Sequence, residues 1–282
     1  MTVASGATSV HSFEHGETFH PVVGPMAEAR GLHVGESRLA GRVASGAGPF
    51  VIWDVGLGAA ANAIAVLEAL SGVETAREIE LHSFDSTTAP LEFAAVHATE
   101  LGYLTQWMPA VGTLLAEGAA QIGRVRWHFH RMDFRDFVRE SPVRAVDAIL
   151  YDPYSPVVNP GMWTLEHFQR LRACLDPGRL CTLTSYSRST AARVALALAG
   201  FFVGLGGATG EKDQTTVAAT QREFLNDPLG ARWLDRVRRS SRGAPLREAR
   251  TPGPISPEDL AALVAAVAGG CRPESTASGQ TQ

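Results

Sequence analysis

The chain has 282 residues, 45% of them hydrophobic, with a net charge of −4 and a pI near 6.1. That allows one or two domains with a large core and gives no global signature of a nucleic-acid-coating protein. Three cysteines without CxxC spacing point to a reducing compartment rather than a disulfide framework. The opening residues have neither the basic start nor the apolar core of a signal peptide. The most apolar run, Val194 to Ala208, is too short and too glycine-broken to span a bilayer. A cytoplasmic protein is expected.

Residues 1–48 are mixed, and "MAEARGLHVGESRLAGRV" within them has room for a short helix and a strand. "PFVIWDVG" then reads as a buried parallel strand, and "AAANAIAVLEALSG" as a helix stopped by Gly72. "EIELHSFD" is a second strand and "PLEFAAVHATELGYL" a second helix; "QWMPAVGTLLAEGAAQIG" is a further helical region. "RVRWHFHRMD" alternates as a third strand, "FRDFVRE" is a short helix and "AVDAILYD" a fourth strand. "MWTLEHFQRLRACLDPG" is an amphipathic helix, "RLCTLTSYS" a fifth strand and "STAARVALALAG" a helix. "FFVGLG" and "DQTTVAAT" close the sheet as an antiparallel pair. The alternation predicts an α/β fold: a mostly parallel, seven-stranded sheet with a reversed edge strand and helices on both faces. Three parts are expected: a segment 1–48 contributing to the site, a catalytic domain 49–220, and an Arg/Pro-rich extension 221–282, partly disordered.

"DVGLGAAAN", Asp54 to Asn62, sits at the first strand-to-helix turn. Gly56 and Gly58 let the backbone turn tightly with a ligand against it, and helix amides follow directly. A tight turn in any α/β protein would look similar. The third glycine of a dinucleotide fingerprint is Ala60 here, which disfavours NAD. More telling is the order of acids: Asp54, Asp85, Asp133 and Asp152 end four successive strands at one sheet edge, where open α/β folds bind ligands. S-adenosylmethionine offers ribose hydroxyls, an exocyclic amine and an ammonium to such carboxylates, and has no phosphate to repel. Each acid taken singly reads equally well as a helix cap.

"ILYDPYSPVVNPGMW", Ile149 to Trp163, puts an acid, an aromatic ring and three prolines after a buried strand. Asp152 can accept hydrogen bonds from an attacking amine, proline stiffens the turn, and the Tyr154 ring can face a planar base or positive charge. The amine must be neutral to attack, so proton loss to water or to Asp152 belongs to the mechanism. A proline-rich connection with a capping Asp is the plain alternative.

Together "DVGLGAAAN", "HSFD", "DAILYDPYSPVVNPGMW", "RLCTLTSYS" and "AGFFVGLGGATGEKDQTTVA" resemble the MnmC-like methyltransferases, over about Gly16 to Thr220. The most specific element is D-x-x-x-P-x-x-N-P-x-M-W, carried by Asp152, Pro156, Asn159, Pro160, Met162 and Trp163. "GETFHPVVGPMAEARGLHVGESRL" also fits, with Glu28 where the family has an acid. The resemblance implies a class I, Rossmann-like methyltransferase using S-adenosyl-L-methionine. The family reaction converts 5-aminomethyl-uridine, often 2-thiolated, at the tRNA wobble position to its methylaminomethyl form. By that resemblance Gly56, Gly58 and Asp54 contact the methionine end, Asp85 the ribose and Asp133 the adenine, while Asp152 holds the substrate amine. The chain departs from the pattern at Ala60, at Gly161 where an acid is common, and in lacking a following FAD-dependent oxidase domain, so methyl transfer alone is expected of it.

Ser185 and Tyr186, at the end of the fifth strand, are candidates for the substrate pocket; Lys212, the chain's single lysine, is a candidate to reach an RNA phosphate, with plain solvated surface as the alternative. Ser187 and Ser189 either line that pocket or cap the next helix. His128 and His130 share one strand face, but no third ligand is near in sequence, so they are read as ordinary strand-edge histidines and no metal is expected. Arg222 to Arg250 holds the one local arginine excess, which suits either a phosphate backbone or a solvated linker. The alternatives are a methyltransferase of the same fold acting on a small amine or another RNA, a non-catalytic cofactor-binding module, and, least favoured, a nucleotide-dependent oxidoreductase.

Overall fold

The computed structural model describes residues 1–19, 23–207, 214–248 and 252–268. Lys212 and the tail from Cys271, expected to be disordered, lie outside the described residues. The chain opens with a two-stranded hairpin, β1 (His11–Ser12) and β2 (Glu17–Thr18). Helix α1 (Pro25–Glu28), a π-helical stretch (Ala29–Gly35) and α2 (Leu39–Ser45) follow. The strand expected inside this region is therefore absent, and its residues wind as helix.

The alternating units come next: β3 (Phe50–Val55), α3 (Ala61–Ser71), β4 (Ile79–Asp85), α4 (Ala89–Val96), α5 (Ala98–Leu101) and α6 (Met108–Glu117). Then follow β5 (Ala119–Ile122), β6 (Val125–Arg131), α7 (Phe134–Glu140), β7 (Ala148–Tyr151), α8 (Leu165–Ala173) and β8 (Thr182–Ser185). The last elements are α9 (Thr190–Leu198), β9 (Phe202–Gly206), β10 (Thr215–Ala219), α10 (Ala231–Arg239) and α11 (Pro257–Ala268).

Among the described residues the main sheet has eight strands in the order β5-β6-β4-β3-β7-β8-β10-β9. The four central pairings, from β6 across to β8, run parallel. The antiparallel pair β9/β10 closes one side as expected, with β10 inside β9. The eighth strand, β5, is antiparallel to β6 at the other edge; the sequence places it in a helix. Gly118 ends α6 in the left-handed region (φ 77°), and Gly123 turns the chain back with φ 55°. "AAQI" is thus released from the helix to pair with "VRWH".

Alternation along each strand divides the core in two. Ile52, Leu81 and Leu150 face α2, α3, α4 and α6, whereas Trp53, Phe84, Ile149 and Tyr151 face α7, α8 and α9. Trp53, Trp127 and Trp163 are fully buried, each removing a large apolar surface from water. The basic C-terminal segment is not simply a solvated linker: α10 buries Trp233, Leu234 and Val237 and α11 buries Leu263 in the second core, leaving the arginines of α10 outward. Among the described residues no helix is long and apolar enough to cross a membrane.

Candidate active site

Because β6, β4, β3 and β7 are parallel, their carboxyl ends share one rim, and a cavity of about 610 Å³ opens there. Carboxylates from Glu17, Glu28, Asp85, Asp133 and Asp152 line it, together with both glycines of the first turn. So does Tyr154. The residue types that single-handedly read as caps are thus assembled around one space.

The glycine turn is built as its φ angles require. Gly56 has φ 93° and Gly58 φ 50°, conformations that L side chains rarely adopt. A Cβ on Gly56 would stand 2.5 Å from the carbonyl oxygen of Asp152. The first turn and the acid–Pro–Tyr turn therefore press backbone to backbone. Ala60 caps α3 in the same left-handed region, with φ 64°, so the position keeps a glycine-like conformation despite its side chain.

Asp85 closes β4 and folds back over the glycine turn. Its Oδ2 accepts the Gly58 amide at 3.0 Å and its Oδ1 the Thr87 amide at 3.2 Å. Burial raises its pKa, and those amides oppose the rise. Asp133 lines the cavity but also caps α7, accepting the Arg135 amide at 2.8 Å and pairing with the Arg135 guanidinium at 2.5 Å. The Arg135 hydrogen bond holds its carboxyl below the ordinary range. For Asp133 the capping and lining readings are both realised.

Asp152 follows β7 directly, and Asn62, in the first turn of α3, donates its Nδ2–H to Asp152 Oδ2 at 2.8 Å. The loop after it is braced at several points. Tyr186 donates its hydroxyl to the Pro153 carbonyl at 2.9 Å, Trp163 Nε1 donates to the Tyr154 carbonyl at 2.9 Å, and Tyr151 donates to the Met162 carbonyl. The motif tryptophan thus holds the backbone of the acid turn, and the Met162 carbonyl anchors the Tyr151 hydroxyl. Ser155 donates both its amide and its hydroxyl to Glu17 of β2, and His15 stacks on Tyr154 with centroids 4.1 Å apart and planes 11° apart. One face of the Tyr154 ring is therefore covered by this chain's own imidazole, and the Phe19 ring also packs against it with centroids 5.9 Å apart.

Two residues expected at the ligand do not line the cavity. Asp54 is fully buried beneath the glycine turn, where its Oδ2 accepts the Ser83 hydroxyl at 2.7 Å; Ser83 in turn accepts Trp127 Nε1–H at 2.9 Å. Its side chain points toward α3, on the same side of β3 as Ile52, by strand alternation. Ser185 is also buried and accepts the Ser187 amide at 3.3 Å, while Ser189 caps α9. Tyr186 does line the cavity, and Lys212 lies outside the described residues. Sequence reasoning missed Asn62, Glu17 and His15. Asn62 stood inside the quoted glycine motif, but nothing in its spacing says that it reaches an acid ninety residues away. Glu17 and His15 act through the hairpin, which carries no strand periodicity long enough to read.

Residues 101–221 match a family described as S-adenosyl-L-methionine-dependent methyltransferase. Among curated proteins the chain is 31% identical over 231 residues to the tRNA 5-methylaminomethyl-2-thiouridine biosynthesis bifunctional protein MnmC of Methylibium petroleiphilum, covering 77% of this chain and 34% of that protein. It is 27% identical over 166 residues to the protein of the same name from Aeromonas salmonicida, covering 54% and 25%. The chain thus spans about a third or less of these relatives. The crystal structure of MnmC2 from Aquifex aeolicus superposes with a TM-score of 0.68 at 21% identity, over 95% of this chain and 82% of that one, which fixes the class I fold.

The cavity's own chemistry fits the cofactor of that fold. Both positive-φ glycines line the cavity, and Asp85 and Glu28 offer carboxylates to hydroxyl and ammonium donors. With the matched segment and the relatives, the chain is an S-adenosyl-L-methionine-dependent methyltransferase similar to the MnmC proteins.

Proposed function

We propose that this protein methylates the aminomethyl nitrogen of 5-aminomethyl-(2-thio)uridine at the wobble position of tRNA, in the cytoplasm. The observation that carries the reading is the fixed carboxylate of Asp152, locked by Asn62 and by a proline-braced turn on the wall of an acid-lined cavity. The names of the MnmC relatives support the nucleoside.

In this reading Gly56, Gly58, Glu28 and Asp85 hold the methyl donor, with Asp133 at its far end and Asp54 supporting the turn from below. S-adenosyl-L-methionine, when bound, supplies an electrophilic methyl group on a sulfonium sulfur. Asp152 accepts hydrogen bonds from the incoming amine and aims its lone pair; because Asn62 fixes Oδ2, the carboxylate plane does not swing. A carboxylate alone favours the ammonium form, so the proton leaves to Asp152 or to water before attack. Tyr154 lies on the cavity wall beside the substrate, and Tyr186 keeps the Pro153 carbonyl, and hence the turn, in place. The sequence's other substrate candidates, Ser185 and Lys212, enter the reading as support for β8 and as a contact to phosphate. The 1–48 segment contributes through Glu17, His15 and Glu28, residues 49–220 hold the catalytic site, and α10 and α11 of the extension pack into the core on the α8 and α9 side.

The test is transfer of labelled methyl from S-adenosyl-L-methionine to tRNA that carries the aminomethyl group, against tRNA that lacks it. Mass spectrometry of tRNA nucleosides from cells with and without the gene provides the second arm. Incorporation into both tRNAs alike, or into neither, refutes the proposed acceptor.

A further inference from the structure

We propose a divalent-metal site on the face of β4 and β6, made by Glu80, His82 and His128, with zinc as the ion its donor set suits. The site is separate from the cavity lining and does not depend on the methyl-transfer reading. Sequence spacing shows only His128 and His130, two apart on one strand. The missing ligands come from the neighbouring strand, because the parallel register sets His82 directly beside His128 and Glu80 beside Arg126. Glu80 and His82 are two apart and share a face, as are His128 and His130. One donor atom from each of Glu80, His82 and His128 lies within 4.8 Å of the others.

The local geometry is close to what a tetrahedral ion needs. Glu80 Oε2 and His82 Nε2 are 3.0 Å apart, where two ligands at about 2.0–2.1 Å from one zinc stand roughly 3.4 Å apart. An ion in place of the shared proton widens that pair by a few tenths of an ångström. The His128 ring lies 4.8 Å from His82 with planes 10° apart and comes into line by side-chain rotation. The other nitrogen of His82, Nδ1, is 2.9 Å from His130 Nε2. A ligating histidine commonly uses its second nitrogen in this way, which fixes the tautomer and turns Nε2 to the metal. His130 is therefore the supporting residue, and a water fills the fourth position. Glu80 supplies the carboxylate of the set and offsets Arg144, a cation whose field reaches both His82 and His130.

The face has a structural use for such an ion. His130 stacks on Phe84 at 4.7 Å, and Phe84 lines the cavity. An ion shared by β4 and β6 pins the two strands whose ends carry Asp85 and lead to Asp133.

The test uses the full chain freed of metal by chelator and dialysed with zinc chloride, read by elemental analysis and calorimetry. One equivalent of zinc is expected, with a rise in the melting temperature. His82→Gln and His128→Gln should each weaken binding at least tenfold and lose that rise; Glu80→Gln, a surface change that folding tolerates, should do so to a smaller degree. His97→Gln, in an exposed pair with Glu100 elsewhere, should change nothing. Cobalt in place of zinc should give the intense visible absorption of a four-coordinate site. Less than half an equivalent bound by the unaltered chain, or full uptake by folded His82→Gln and His128→Gln, overturns the proposal.

Discussion

Two turns leave adjacent strands of this sheet and solve opposite problems. The turn after β3 needs freedom: Gly56 and Gly58 take left-handed angles so that backbone can lie against a ligand and against the next turn. The turn after β7 needs stiffness: Asp152 is followed by prolines, and Tyr186, Trp163 and Ser155 tie its backbone down. They meet where Gly56 faces the Asp152 carbonyl and Asn62 reaches the Asp152 carboxylate. The contrast teaches that a turn on which a ligand can lie is built by leaving side chains out, whereas a turn that holds an acid in place is built by side chains that restrain it.

The comparison breaks most sharply at Asp152. Asp152→Asn should lower single-turnover methyl transfer by about 10³-fold, the scale of a lost orienting and proton-accepting group. Calorimetric affinity for S-adenosyl-L-methionine should stay within a few-fold; retained transfer would move proton removal entirely to water. Gly56→Ala tests the other turn. Its Cβ meets backbone, and its φ is unfavourable, so unfolding free energy should drop by roughly 2 kcal/mol or more, with weaker cofactor binding and slower transfer together. If only transfer fell, the contact between the turns would matter for Asp152 alone.

Asn62→Ala probes the link itself. Loss of one hydrogen bond to a charged acceptor is expected to cost about 1.5–3 kcal/mol, read as a 10- to 100-fold lower kcat with KM for the methyl donor little changed. Beneath the stiff turn, α8 carries His167, whose pKa burial pushes down to about 3. Below pH ~6.5 the unfolded chain binds this proton and the folded chain does not. Stability should therefore fall as pH drops from about 6.5 toward 3, by at most about 1.4 kcal/mol per pH unit, and show no such slope above 6.5. His167→Gln should flatten the acid limb of a denaturant-melt series. The smallest effect is expected at the hairpin: Ser155→Ala removes a partly buried hydroxyl from Glu17 and should cost about 1 kcal/mol of stability, seen as a small drop in melting temperature.

The parallel strands were legible because each is a short apolar or alternating run, four of them followed by an acid, and a period of two or a buried run leaves a clear trace in sequence. β5 was not, since "AAQI" is too short and too helix-compatible; only Gly118 and Gly123 turn it. The expected strand in the N-terminal region failed for a related reason: leucines and alanines there fit helix or strand, and packing of the π-helical stretch on α3 and β8 decided for helix. In the site, the glycines and the acids at the strand ends were visible as types and positions. Asp54 nevertheless turns under the glycine turn instead of into the cavity, because strand alternation, not chain order, sets its direction.

By itself the sequence determined the alternation of strand and helix, the glycines that allow a tight turn, and the acids that fall at the carboxyl edge, since these are local consequences of periodicity and backbone conformation. Only the tertiary structure decided that Asn62 holds Asp152, that Glu17 and His15 reach the acid turn, and that Glu80 and His82 stand beside His128. Those pairings depend on sheet register and on how distant segments close over one another, and no local pattern encodes a contact between residues that are far apart in the chain.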